Sequence, residues 1–99
     1  MNKLKIFKAL SSENRLKIIE ILDENPMCAC KIMEKLNLSQ STISHHIKIL
    51  KDCDLVNCKK EGKWHHYSIN LKALKYIQGY FSKLVEKNNK KKGVCNCDS

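Results

Sequence analysis

No apolar run in this 99-residue chain approaches the ~18–20 residues needed to span a bilayer. Its opening stretch, Met1-Asn2-Lys3-Leu4-Lys5-Ile6-Phe7-Lys8-Ala9-Leu10, is basic and amphipathic, unlike the apolar core of a secretory signal. The expectation is a cytoplasmic protein with no part in the membrane. Acidic residues are scarce, ten against nineteen Lys and Arg, for a formal charge of +9. That excess suits a polyanion such as DNA, RNA or an anionic surface. Aromatics make up only 6% of the chain, too few for the stacking platform of a single-stranded RNA binder. There is no Ser-His-Asp arrangement, phosphate loop or carboxylate pair, so no enzyme is expected, and no internal repeat is visible.

Cysteine is the exception to this sparseness, with six in 99 residues. A secreted chain would tie them into disulfides. Reduced thiols in a reducing compartment point instead to metal binding or redox sensing.

Apolar periodicity divides the chain into one folded unit over residues 1–87 and a Cys- and Lys-rich tail, Asn88–Ser99, expected to be flexible. A short helix is expected over about residues 2–10, with Leu4, Phe7 and Leu10 recurring at steps of three. Ser11 and Ser12 offer an N-cap for a second helix to about Asp23, its apolar face carrying Leu16, Ile19 and Leu22 with Ile18 and Ile21 flanking. Asn25-Pro26 stops that helix and opens a third, about Met27–Leu36, with Ile32, Met33 and Leu36 inward. After the tight Asn37-Leu38 connection, Ser39 caps a fourth helix, about Gln40–Cys53. Ile43, Ile47 and Leu50 form its buried stripe, while Ser41, Ser44, His45 and Lys48 fall about 100–200° away. Two short helices joined by a tight turn, the second polar outside, signal a helix-turn-helix.

Two strands follow, Leu55–Lys59 and Trp64–Ile69, around the connector Lys60-Glu61-Gly62-Lys63. Lys59, Lys60, Lys63 and His65 make this hairpin basic, as a wing over phosphates would be. Asn70 caps a last helix to about Lys87, with Leu71, Leu74, Ile77, Phe81, Leu84 and Val85 on one face. The fold class is therefore mainly α with a β-hairpin wing (α+β), a winged helix-turn-helix. Its first and last helices leave more apolar surface than so small a core can cover. Pairing them in a homodimer would hide that surface and space two recognition helices for successive major grooves.

Three segments in this order resemble the ArsR/SmtB family of metal-sensing repressors: Leu10-Ser11-Ser12-Glu13-Asn14-Arg15-Leu16-Lys17-Ile18-Ile19, Leu38-Ser39-Gln40-Ser41-Thr42-Ile43-Ser44-His45-His46-Ile47-Lys48-Ile49-Leu50 and Gly62-Lys63-Trp64-His65-His66-Tyr67. The stretch Met27-Cys28-Ala29-Cys30 is similar to the thiolate motif of the arsenic and cadmium sensors. The resemblance implies a repressor that holds an inverted-repeat operator in double-stranded DNA and dissociates when a soft ion binds. The candidate DNA-binding residues are Gln40, Ser41, Thr42, Ser44, His45 and Lys48 on the helix, and Lys60, Lys63 and His65 on the wing. The sequence also departs from the family. Met33 stands where the arsenic sensors often carry a third cysteine, and Asp54 where a glycine is common. No His or acidic ligand lies between Lys72 and Val85, which argues against the zinc site of other branches.

Cys28 and Cys30 are expected in the first turn of the third helix, where the helix dipole favours thiolate. Residues two apart on a regular helix point about 200° away from each other, so joint capture of an ion is expected to distort that turn. Cys95 and Cys97 repeat the spacing in the tail. Together the pairs offer three sulfurs for As(III) or Sb(III), or four for Cd(II), Pb(II) or Zn(II), within one subunit or between two. Cys53 and Cys58 read as a small buried residue and a strand residue. Each of His45-His46 and His65-His66 makes a poor chelate because sequence neighbours point apart, and His46 reads as a hydrogen-bonded packing residue. Two alternatives stay open: a thiol-disulfide redox switch on the same fold, and a metal-storage module without specific DNA binding.

Overall fold

The computed structural model of the chain describes residues 1–90; Cys95 and Cys97 lie outside them. Five helices and one hairpin follow in the order α1 Lys3–Leu10, α2 Glu13–Glu24, α3 Ala29–Leu36, α4 Gln40–Asp52, β1 Val56–Glu61, β2 Trp64–Ile69 and α5 Leu71–Lys90. This is the winged helix-turn-helix that the periodicity calls for. Among the described residues no helix is long and apolar enough to cross a membrane.

Side-chain caps punctuate the chain as their chemistry requires. Asn2 accepts from the Lys5 amide at 3.1 Å, Ser12 from Arg15 at 3.4 Å and Ser39 from Thr42 at 3.3 Å. Asn70 accepts from Lys72 at 3.1 Å and donates to the Asp54 carbonyl at 2.8 Å, tying the start of α5 to the end of α4. Among the described residues, the two non-glycine residues with positive φ are Asn37 (53°), which ends α3, and Asp54 (66°), which turns the chain from α4 into the wing. Both have short polar side chains that tolerate the left-handed conformation.

The core is built from Ile6, Ile18, Ile32, Ile43, Leu50 and Leu55, all fully buried, with Ala9, Leu22, Ile47 and Val56 around them. Each of the isoleucine, leucine and valine side chains contributes about 1.5–3 kcal/mol by leaving water. The stripe of α4 is buried as expected, but the faces of α1 and α2 are turned. Leu16 is 45% exposed, and Ile18 with Leu22 carries the burial in α2. At about 100° per residue, Ile18, Ile19, Ile21 and Leu22 share one side of the helix and Leu16 stands apart from it. In α1, Ile6 and Ala9 face the core while Leu4 is exposed. Phe7 turns instead to α5, meeting Tyr80 and Phe81 edge-on at 6.0 and 5.8 Å between centroids.

Three boundaries differ from the expected ones. Helix α5 continues to Lys90, past the Lys87 expected. The hairpin pairs Glu61 with Trp64, so its loop is only Gly62-Lys63 rather than four residues. Gly62 has φ +58° and Lys63 does not, the pattern of a type II′ turn with glycine in first position. The third difference lies before α3. Met27 forms a β-bridge with Tyr67, its amide donating to the Tyr67 carbonyl at 3.0 Å and its carbonyl accepting at 2.9 Å. That pairing holds the chain extended, so α3 starts at Ala29 and Pro26 lies outside the helix.

Candidate nucleic-acid interface and thiol site

Helix α4 presents Ser41, Ser44, His45 and Lys48 to solvent on the side away from its buried stripe, and Gln40 is exposed at its first turn. Thr42 is half-buried, and its hydroxyl accepts from Ser39 at 2.9 Å, so it serves the cap that sets the angle of the helix. The wing exposes Lys59, Lys60, Lys63 and His65. A groove lined by Ser44, Ile47, Lys48, Lys51, Asp52 and Tyr67 joins the two elements into one surface. Small hydroxyls, an imidazole and lysines on a protruding helix beside a basic hairpin match what a major groove flanked by phosphates requires.

Trp64, at the wing tip, is 63% exposed. Sequence patterning assigns it no role, although an aromatic next to a tight turn has nothing local to pack on.

Behind the outer face of α4, His46 is half-buried and its Nδ1 accepts from the Arg15 guanidinium at 3.1 Å. Arg15 also donates through Nε to the Ala9 carbonyl at 2.6 Å. One side chain thus fastens α4 to α2 and to the end of α1. Because guanidinium cannot accept, His46 is held as the neutral tautomer with its proton on Nε2. Burial first, then the charges of Arg15 and His45, lowers the His46 pKa. The expected packing role of His46 is the one seen, but its partner lies 31 residues away.

Cys28 is the N-cap of α3, with φ −80° and ψ 164°, and its side chain makes no capping bond; Cys30 follows in the first turn. Only Cys30 of the two is therefore a helical position. The expected 200° divergence and the enforced distortion of a helical turn do not apply. Both residues line one shallow depression, together with Lys31, Met33, Glu34 and Leu38. Both are free thiols, as are Cys53 and Cys58. Among the described residues no cluster of three or more His, Cys, Asp or Glu side chains is assembled. The donor set fits a soft ion in kind but supplies only two sulfurs.

Cys53 is buried, and its thiol donates to the Leu50 carbonyl at 3.4 Å. Burial pushes its pKa up, so it is a packing residue. Cys58 stands across the hairpin from Tyr67, with Sγ 3.4 Å from Nδ1 of His65. The two-residue turn sets Cys58 and His65 diagonally across the hairpin, on the same face.

Residues 12–57 match the model of a bacterial regulatory protein family, the arsR family. The chain is 43% identical over 72 residues to the arsenical resistance operon repressor of Staphylococcus xylosus, covering 73% of this chain and 69% of the repressor. It is 36% identical over 78 residues to a cadmium resistance transcriptional regulatory protein homologue of Staphylococcus aureus, covering 78% of this chain and 64% of that protein. Its fold superposes with a TM-score of 0.69, at 20% identity, on the homodimeric winged helix-turn-helix DNA-binding domain of a Mycobacterium bovis protein, over 95% of this chain and 86% of that one.

Proposed function

The chain belongs to the arsR family of bacterial regulatory proteins, and on that premise we propose that it is a cytoplasmic, homodimeric repressor that leaves its operator when cysteine thiolates capture a soft ion. As(III) or Sb(III) is the favoured inducer, with Cd(II), Pb(II) and Zn(II) as the other ions its sulfur donors suit. The arsenical and cadmium resistance regulators among its relatives support this choice.

One observation carries the reading: the thiol pair is joined through the main chain to the DNA-facing elements. Cys28 follows Met27, whose amide and carbonyl are both paired with Tyr67 of the wing. Cys30 lies in α3, the first helix of the helix-turn-helix, and α3 packs on α4. Drawing the two sulfurs onto one ion moves the Met27–Cys30 backbone. That movement changes the angle of the wing through the bridge and of α4 through the helix packing. The pair lacks a third sulfur, and Cys95 or Cys97, of the same subunit or its partner, is proposed to supply it.

On DNA, α4 lies in the major groove with Gln40, Ser41, Ser44 and His45 toward base edges, and Lys60, Lys63 and His65 of the wing sit on the phosphate backbone. Dimerisation through α1 and α5 buries Leu4, Leu74, Phe81 and Leu84, which a single chain leaves exposed. It also sets two α4 helices about one DNA turn apart, roughly 34–36 Å, over an inverted repeat.

The test is fluorescence anisotropy on a duplex selected from a random library by the reduced protein. Saturating arsenite is expected to weaken binding about 5–150-fold, the range of ~1–3 kcal/mol coupling, and Cys28→Ser/Cys30→Ser to abolish that response while keeping DNA affinity. Unchanged affinity with both arsenite and Cd(II) overturns the ion-sensor reading. Release by peroxide alone, reversed by reductant, would establish the redox switch in its place.

A further inference from the structure

The wing carries a second pair of soft donors, remote in sequence from Cys28 and Cys30. In the hairpin register Cys58 faces Tyr67, and Lys60 faces His65, so Cys58, Lys60, His65 and Tyr67 share one face. On it, Cys58 Sγ and His65 Nδ1 are 3.4 Å apart. Cys58 is half-buried and His65 exposed, so the pair is open to solvent on one side. Cys53, the nearest cysteine in sequence, is buried and bonded to its own helix, and does not compete for this position.

The geometry points to a thiolate–imidazole site on the wing for a d10 cation of the Zn(II) and Cd(II) kind, separate from the thiol pair at α3. Bonds of about 2.3 Å to sulfur and about 2.05 Å to nitrogen, at the tetrahedral angle of about 109°, set the two donor atoms about 3.5 Å apart. The separation in the chain differs from that value by only about 0.1 Å. An ion can replace the proton that the two side chains share, which leaves to solvent. No strand has to move. The hairpin holds both donors on a paired, two-stranded frame closed by a two-residue turn, so little ordering is required on binding. Tyr67 stands beside the sulfur as a neutral phenol, its pKa raised by burial and then by neighbouring Cys58. Water completes the coordination, which makes this a weaker site than one with four protein ligands.

The site is tested on the full-length chain carrying Cys28→Ser, Cys30→Ser, Cys95→Ser and Cys97→Ser, which leaves Cys53 and Cys58. The reduced protein is titrated with Cd(II) alone, following the ultraviolet sulfur-to-cadmium band and the imidazole 15N resonances. One ion per chain is expected, with the Nδ1 resonance of His65 shifting and those of His45, His46 and His66 holding still. His65→Ala and Cys58→Ser are each expected to weaken binding at least about tenfold, since even outer-shell partners of a metal are worth about 10–100-fold. Cys53→Ser is expected to leave it unchanged. Circular dichroism confirms that each variant is folded. The proposal is overturned if no band appears, if the band follows Cys53, or if His65→Ala binds Cd(II) within threefold of its parent. None of these outcomes bears on the arsenite response of Cys28 and Cys30, because both are absent from the protein tested.

Discussion

Arg15 is the only arginine in the chain, and its replacement by methionine tests how α4 is held. Methionine keeps the aliphatic stem while removing both polar contacts, the one to the Ala9 carbonyl at 2.6 Å and the one to His46 Nδ1 at 3.1 Å. A hydrogen bond from a charged donor contributes about 1.5–3 kcal/mol net. The site is half-buried, so water can reach the freed carbonyl and imidazole, and the two losses together are expected to total about 2 kcal/mol. That is roughly a 30-fold change in the folding constant. For a chain of this size it lowers Tm by about 8–16 °C, measured at one fixed protein concentration because a dimer's Tm depends on it. Lysine restores only part of the loss, since an ammonium cannot span both acceptors in the planar fork that guanidinium provides. The assay pairs urea unfolding with an NMR titration of the histidines. Removing the Arg15 charge takes away one cause of the lowered His46 pKa, which then rises toward the ordinary histidine value while burial still holds it below. A stability loss under about 0.5 kcal/mol together with an unmoved His46 titration would refute the reasoning.

The same histidine makes stability depend on pH. Its folded pKa is lowered, so the unfolded chain takes up the proton first as pH falls. Its contribution is complete above the ordinary histidine pKa and is lost as pH drops through that value toward the lowered one; His46→Gln should flatten the urea midpoint between about pH 7.5 and 5.5. Replacing Lys60 and Lys63 with alanine removes two phosphate contacts from each wing of the dimer and is expected to reduce the slope of log K against log[salt] by about 3.6, near 0.9 per phosphate contact. An unchanged slope in anisotropy titrations removes the wing from the DNA interface. Phe81, 48% exposed and stacked edge-on with Phe7, is expected to anchor the dimer. Phe81→Asp should give a monomer in sedimentation equilibrium at concentrations where the parent is dimeric. Gly62→Ala meets no atom within 4 Å, so its cost is backbone strain at φ +58° alone, about 1–2 kcal/mol in thermal unfolding.

Several features are legible in the amino-acid sequence because each depends on residues close in the chain. The stripe Ile43, Ile47 and Leu50 follows from helical spacing, and the helix starts at Ser12, Ser39 and Asn70 from hydroxyls and amides that reach their own backbone. The candidate DNA face follows by subtraction, being the side of α4 that the stripe does not use. The Cys28–Cys30 spacing marks a thiol pair but misplaces its geometry. Helical periodicity extends back to Met27, where a strand partner 40 positions further along, Tyr67, takes both backbone bonds instead.

What the sequence determined by itself was therefore the order of elements, their caps, the polar face of α4, the basic wing and the presence of a thiol pair. The tertiary structure decided which apolar residues of α1 and α2 face inward, where α3 starts and which distant side chains meet. Arg15 with His46 and Met27 with Tyr67 are both products of that second level. The physical reason is the range of the interactions. A cap or a helical stripe is satisfied within about four residues, whereas a hydrogen-bonding group left over locally takes whichever partner the packing of remote elements brings within about 3 Å.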